Sequence, residues 1–108
     1  MKYIGKMDPE CIPLCDAMNA LPGIKTFESC CGHGKHAFIV FFKAPSFNAI
    51  KPIVAAAEIW YWTVRVKCSS VTDEMYFILE SPEPDSNWKF DTILSTAEDI
   101  TKILGEKR

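Results

Sequence analysis

The sequence predicts an α+β fold: a single domain in which an antiparallel or mixed sheet, built from two hairpins, is covered by about three helices. Three observations predict it. Apolar residues recur at helical spacing in three stretches, near 13–21, 46–58 and 91–104. Between these stretches lie two pairs of short runs rich in β-branched and aromatic residues. A chain of 108 residues is the length of one domain, and 48% apolar residues with 3 Trp, 3 Tyr and 7 Phe supply a core that needs neither metal nor disulfide. The expected order is α-β-β-α-β-β-α, with a short leading strand at Lys2–Ile4 as an option. Hairpins alternating with helices argue against a doubly wound parallel sheet.

The first helix is expected over Pro13 to Leu21, since proline is welcome in a first turn, with an earlier turn or start at Asp8-Pro9. Leu14, Met18 and Leu21 form its inward stripe, and Pro22-Gly23 stops it. Ile24 to Cys31 reads as a strand, Gly32 to His36 as a tight link, and Ala37 to Lys43 as a central strand, apolar on both faces. Ser46 is the expected N-cap of a second helix reaching about Glu58, which Pro52 should kink or interrupt. Tyr61 to Cys68 alternates cleanly, with Trp62, Val64, Val66 and Cys68 on one side and Tyr61, Thr63, Arg65 and Lys67 on the other. Met75 to Glu80 completes the second hairpin, and Ser81 to Asn87 reads as a surface loop. Asp91 to Leu104 forms the last helix, packed through Ile93, Leu94, Ala97, Ile100, Ile103 and Leu104 and ended by Gly105.

A formal charge of −2 and the absence of a basic run give no support to nucleic-acid binding at the level of net charge, although a local patch is left open. Five cysteines is an odd number without secretory spacing. No apolar signal core follows Met1, and nothing approaches the roughly 20 apolar residues of a membrane span. Reduced thiols in a cytoplasmic protein, with no membrane partner, are the expectation.

Chemistry concentrates in Ser29-Cys30-Cys31-Gly32-His33-Gly34-Lys35-His36. Gly32 and Gly34 permit positive φ, successive amides in such a loop can converge on an anion, and Lys35 adds charge, so a polar or anionic small molecule is the first expectation. The ligand-binding set is Ser29, Cys31, Gly32, Gly34, Lys35 and His36, with Cys30 and His33 as the catalytic pair: a thiol and its base. No acidic residue stands near in sequence to orient the histidine except Glu28. A second expectation is zinc, held by Cys30 or Cys31 with His33 and His36, although the spacing is not Cys-x-x-Cys and Cys11, Cys15 and Cys68 lie apart. The plain alternative is a hairpin whose glycines serve geometry alone, in a non-catalytic interaction or accessory protein. Trp60-Tyr61-Trp62 is a weaker stacking candidate, since Trp60 and Trp62 share the parity of the buried row.

Asp8 to Cys31, through Pro13-Leu14-Cys15-Asp16-Ala17-Met18-Asn19 and Thr26-Phe27-Glu28-Ser29-Cys30-Cys31-Gly32, resembles the start of the tRNA wybutosine-synthesizing protein 3 family. In that family a Pro-Leu-rich helix ending near an Asn precedes a strand ending in Ser-Ser-Cys-Ser-Gly-Arg. Ser29, Cys30 and Gly32 fall on matching positions; Glu28 and Cys31 replace two serines, and His33 stands where the family has arginine. The resemblance implies a related fold, a site at this turn, and S-adenosylmethionine-dependent methyl transfer to a modified guanosine in tRNA. The Cys-Cys-Gly-His-Gly-Lys form is also similar to small bacterial and phage proteins.

Overall fold

The computed structural model describes residues 8–71 and 74–106. The leading strand expected at Lys2–Ile4 lies outside them. A single 3₁₀ turn, Pro9–Cys11, leads into α1 (Ile12–Asn19); β1 (Lys25–Cys30), β2 (Ile39–Lys43), α2 (Phe47–Ile59), β3 (Thr63–Ser69), β4 (Glu74–Glu80) and α3 (Phe90–Glu106) follow. The α+β class and the predicted order are both observed. The four strands form one antiparallel sheet ordered β1-β2-β4-β3, so each hairpin is intact and the two meet along the β2–β4 seam.

All three helices lie in one layer, α3 touching both α1 and α2, against one side of the sheet. The core between the layers is made from Val40, Phe42, Phe77 and Leu79 of the central strands, with Leu14, Met18, Ile53, Ile93, Ile100 and Leu104 of the helices. Phe42 and Phe77 stack with centroids 5.5 Å apart across the seam. In β2, which pairs with β1 on one edge and β4 on the other, Val40 and Phe42 are fully buried toward the helices, while Ile39 and Phe41 on the opposite side are half-buried. Asn19 closes α1 by accepting the Thr26 N–H and donating to the Thr26 hydroxyl, both at 2.8 Å, which fixes the helix end to β1.

Several local expectations are corrected. The link between β1 and β2 runs from Cys31 to Phe38 and contains a 3₁₀ turn at Gly32–Gly34, because Ala37 and Phe38 turn into the core before pairing begins. Ser46 does cap α2, accepting the Ala49 N–H at 3.3 Å, but the helix continues without interruption through Pro52. The bond lost there involves the carbonyl of exposed Asn48, which water can serve. Tyr61 precedes β3 in a left-handed conformation (φ 64°) and is 76% exposed. Within β3 the expected inward row fades: Trp62 is buried and Val64 half-buried, but Val66 and Cys68 are exposed where the strand outruns the helices. α3 extends past Gly105 to Glu106. Among the described residues no helix is long and apolar enough to cross a membrane.

Candidate functional site

The turn after β1 is shaped by three consecutive positive φ angles, at Gly32 (81°), His33 (51°) and Gly34 (81°). This coil directs Cys31 inward, where it is fully buried, and swings the His33 ring back over it, with Nδ1 3.8 Å from Cys31 Sγ. The opposite end of that ring meets a carboxylate from another part of the chain: His33 Nε2 lies 3.5 Å from Asp8 Oδ2. The same Asp8 oxygen accepts the Cys31 backbone N–H at 3.0 Å, and the Cys31 thiol donates to Glu10 Oε2 at 3.4 Å. One donor atom from each of Asp8, Cys31 and His33 can be chosen so that all three lie within 4.8 Å of one another.

The electrostatics of this group are one-sided. The Cys31 N–H, chiefly, holds the Asp8 carboxyl below its ordinary value against partial burial, with the Cys31 thiol, nearby His33 and the Cys30 thiol assisting. Burial pushes the Cys31 thiol up to about 11; the His33 backbone N–H opposes the rise, while Glu10 and Asp8 add to it. Beneath lie two further thiols from the first helical turns. Burial drives Cys11 up to about 12 and raises Cys15 as well, and the Ser29 hydroxyl, facing both, offsets part of each rise. Ser29 Oγ is itself sealed from solvent without a full hydrogen bond. All five cysteines are free thiols.

The turn's amides are largely engaged. The Cys31 N–H donates to Asp8, Gly32 N–H to the Cys30 sulfur at 3.4 Å, and the Lys35 and His36 N–H groups both to the Gly32 carbonyl, at 2.9 and 3.1 Å. Few are left to converge on an anion. Lys35 and His36 are exposed and His36 is not among the converging donors, whereas Cys30 is half-buried. Of the residues expected at the site, the structure therefore joins Cys31 and His33, keeps Cys30, Ser29 and Gly32 adjacent, and leaves Gly34, Lys35 and His36 on the outer rim.

Asp8 and Glu10 are the residues that sequence reasoning missed. Glu28, the acid nearest in sequence, is exposed on the strand, and Asp8 reaches the histidine instead. The only sequence signal was local: two carboxylates flanking Pro9 immediately before a cysteine that opens a helix. Comparison with protein-family models, curated proteins and solved structures yields no match.

Proposed function

We propose that the protein binds a divalent transition-metal ion, zinc by the chemistry of its donors, at Asp8, Cys31 and His33. The observation carrying this reading is the convergence of a carboxylate oxygen, a thiol sulfur and an imidazole nitrogen within 4.8 Å of one another. That mixed set suits a borderline-soft ion. Charge supports it too: two carboxylates surround a buried thiol that is hard to ionise unaided, and a cation would both stabilise the thiolate and relieve the crowding of negative groups. Three protein donors leave a position for Glu10, water or a small polar ligand, which is where the small-molecule expectation joins the metal one.

The order sulfur, imidazole, carboxylate also favours a second reading, a nucleophilic Cys31 with His33 as base and Asp8 as its orienting group. Complete burial of the thiol and its upward-shifted pKa weigh against it.

The test is a zinc titration of protein purified without a histidine tag and stripped with chelator, read by calorimetry and elemental analysis. A single equivalent should bind with proton release, and Asp8→Asn and His33→Ala should each weaken binding by at least about 10-fold, the lower bound for even supporting residues of metal sites. A preparation that stays zinc-free throughout the titration removes the proposal. Rapid alkylation of Cys31 by iodoacetamide at neutral pH in metal-free protein would instead favour the nucleophile.

A further inference from the structure

In the run Trp60-Tyr61-Trp62, the outer two residues serve the fold. Trp62 is buried in the core and Trp60 packs against it, whereas Tyr61 is 76% exposed. The backbone of Tyr61 closes α2. The Trp62 N–H donates to the Ala57 carbonyl at 3.0 Å and the Tyr61 N–H to the Glu58 carbonyl at 3.3 Å, the paired bonds of a Schellman motif. That motif needs the residue after the helix cap in the left-handed conformation, and Tyr61 supplies it with φ 64°. Glycine takes this conformation freely, whereas a Cβ is crowded there. A bulky ring kept at a glycine position, yet outside the core, marks a constraint other than folding.

Trp88 is its neighbour. The two rings are nearly perpendicular, at 83°, with centroids 6.2 Å apart, so their faces form the walls of a corner. A short loop fixes the Trp88 backbone: Asp85 Oδ1 accepts the Asn87 and Trp88 N–H groups, both at 2.7 Å, and the Asp85 N–H donates to the Trp88 carbonyl at 2.9 Å. The charges around the rings lean negative. Tyr61 stands at the C-terminal end of α2, where the helix dipole is negative, and the last turn holds no basic residue but carries exposed Glu58. An acid at that end has the wrong sign for the dipole, and a cation placed there would offset both. Asp85 brings a second carboxylate beside Trp88. The basic residue next to Trp88 in sequence, Lys89, is exposed and precedes α3, whose first turn carries Asp91.

The geometry points to a binding site for a quaternary ammonium group in the corner between Tyr61 and Trp88. Such a cation is attracted to the π faces of both rings, and its methyl groups make it easy to strip of water. Perpendicular walls suit a rounded cation, which touches both faces at once, whereas a flat base stacks on one ring alone. An anionic ligand would meet Glu58 and Asp85. Two sources carry the favoured chemistry: a choline-like small molecule and a trimethylated lysine of another protein.

The experiment follows the indole N–H resonances by heteronuclear NMR, in chelator so that the outcome is separate from that of the metal site. The titrants are choline chloride, the neutral carbon isostere of choline, a short peptide carrying one trimethyllysine, and the same peptide unmodified. Saturable binding of choline or of the trimethyllysine peptide is expected, and the tighter of the two names the source. The isostere and the unmodified peptide should each bind at least about two- to fivefold more weakly than their counterparts, the contribution of one exposed cation–π contact. Tyr61→Leu should lower affinity by a similar factor, and Tyr61→Phe should retain it. Tyr61→Gly separates binding from folding: it should lose affinity while its urea midpoint falls no lower than the parent's, because glycine fits the left-handed position. Absence of saturable shifts with either cation overturns the inference. So does equal binding of the neutral isostere, or a Tyr61→Gly variant with a lowered midpoint, which would show that the fold itself requires the ring.

Discussion

Gly32 and Gly34 share a φ of 81°, but their surroundings separate them. A Cβ on Gly32 would come within 2.9 Å of the Ala37 carbonyl oxygen, whereas on Gly34 it would meet only the Phe90 side chain at an ordinary 3.8 Å. Gly34→Ala therefore carries the backbone cost alone, about 1–2 kcal/mol. Gly32→Ala adds a clash with backbone that cannot swing aside and should exceed it, toward or beyond about 3 kcal/mol. Urea denaturation of the two variants checks the ranking, and equal midpoints would contradict it. At this scale the glycines and the adjacent thiol and imidazole were legible, because a turn advertises itself within a few residues. Asp8 was not. Its partner lies 23 residues along the chain, and nothing local distinguishes a carboxylate that caps a turn from one that reaches a distant histidine. The left-handed His33 was harder to see, since histidine enters that region far less often than glycine, even though it does so more often than most residues.

Among the elements, α3 is fixed to the sheet by a polar pair as well as by its apolar stripe. Trp62, only 2% exposed, donates its indole N–H to the Thr96 hydroxyl at 3.0 Å, and that hydroxyl donates on to the Ile93 carbonyl at 2.8 Å. Thr96→Val keeps the shape but leaves the indole N–H buried without an acceptor, a loss of about 1–3 kcal/mol. Thermal or urea melts should register it, and a variant as stable as the parent would show that the indole finds another acceptor. The helical stripes of α1 and α3 were readable from periodicity, and the unbroken apolar run of β2 announced a central strand. Thr96 escaped notice because it reads as polar while completing the buried stripe. The exposed ends of β3 escaped because alternation tells which side a residue takes, but not how far a helix extends to cover it. Pro52 was misjudged for a similar reason, since its cost depends on whether the carbonyl left unserved, that of Asn48, can reach solvent.

For the molecule as a whole, the two-layer architecture encloses three thiols, Cys11, Cys15 and Cys31, between the first helix and the sheet. In the folded state Cys11 and Cys31 stay protonated up to about 12 and about 11, above the ordinary thiol value of 9.0. Above that ordinary value the unfolded chain gives up these protons while the folded chain retains them. Their contribution is thus intact below about pH 9 and is lost progressively as pH rises toward the folded-state values. Stability measured by chemical denaturation should decline across this alkaline range, and Cys11→Ala should reduce the slope. A parent and variant with identical alkaline profiles would exclude the buried thiol as a source.

Asp8 arrives from ahead of α1, while Cys31 and His33 belong to the connection that leaves β1. These side chains become neighbours only once the helix has docked, so the docked form alone presents them as a set. An ion gripped by all three would work as a clasp between the front of the chain and its first hairpin, tightening the whole architecture in proportion to the logarithm of ion concentration over its dissociation constant. Metal supply would then set how long the domain resists unfolding and proteolysis, quite apart from any chemistry performed at the turn.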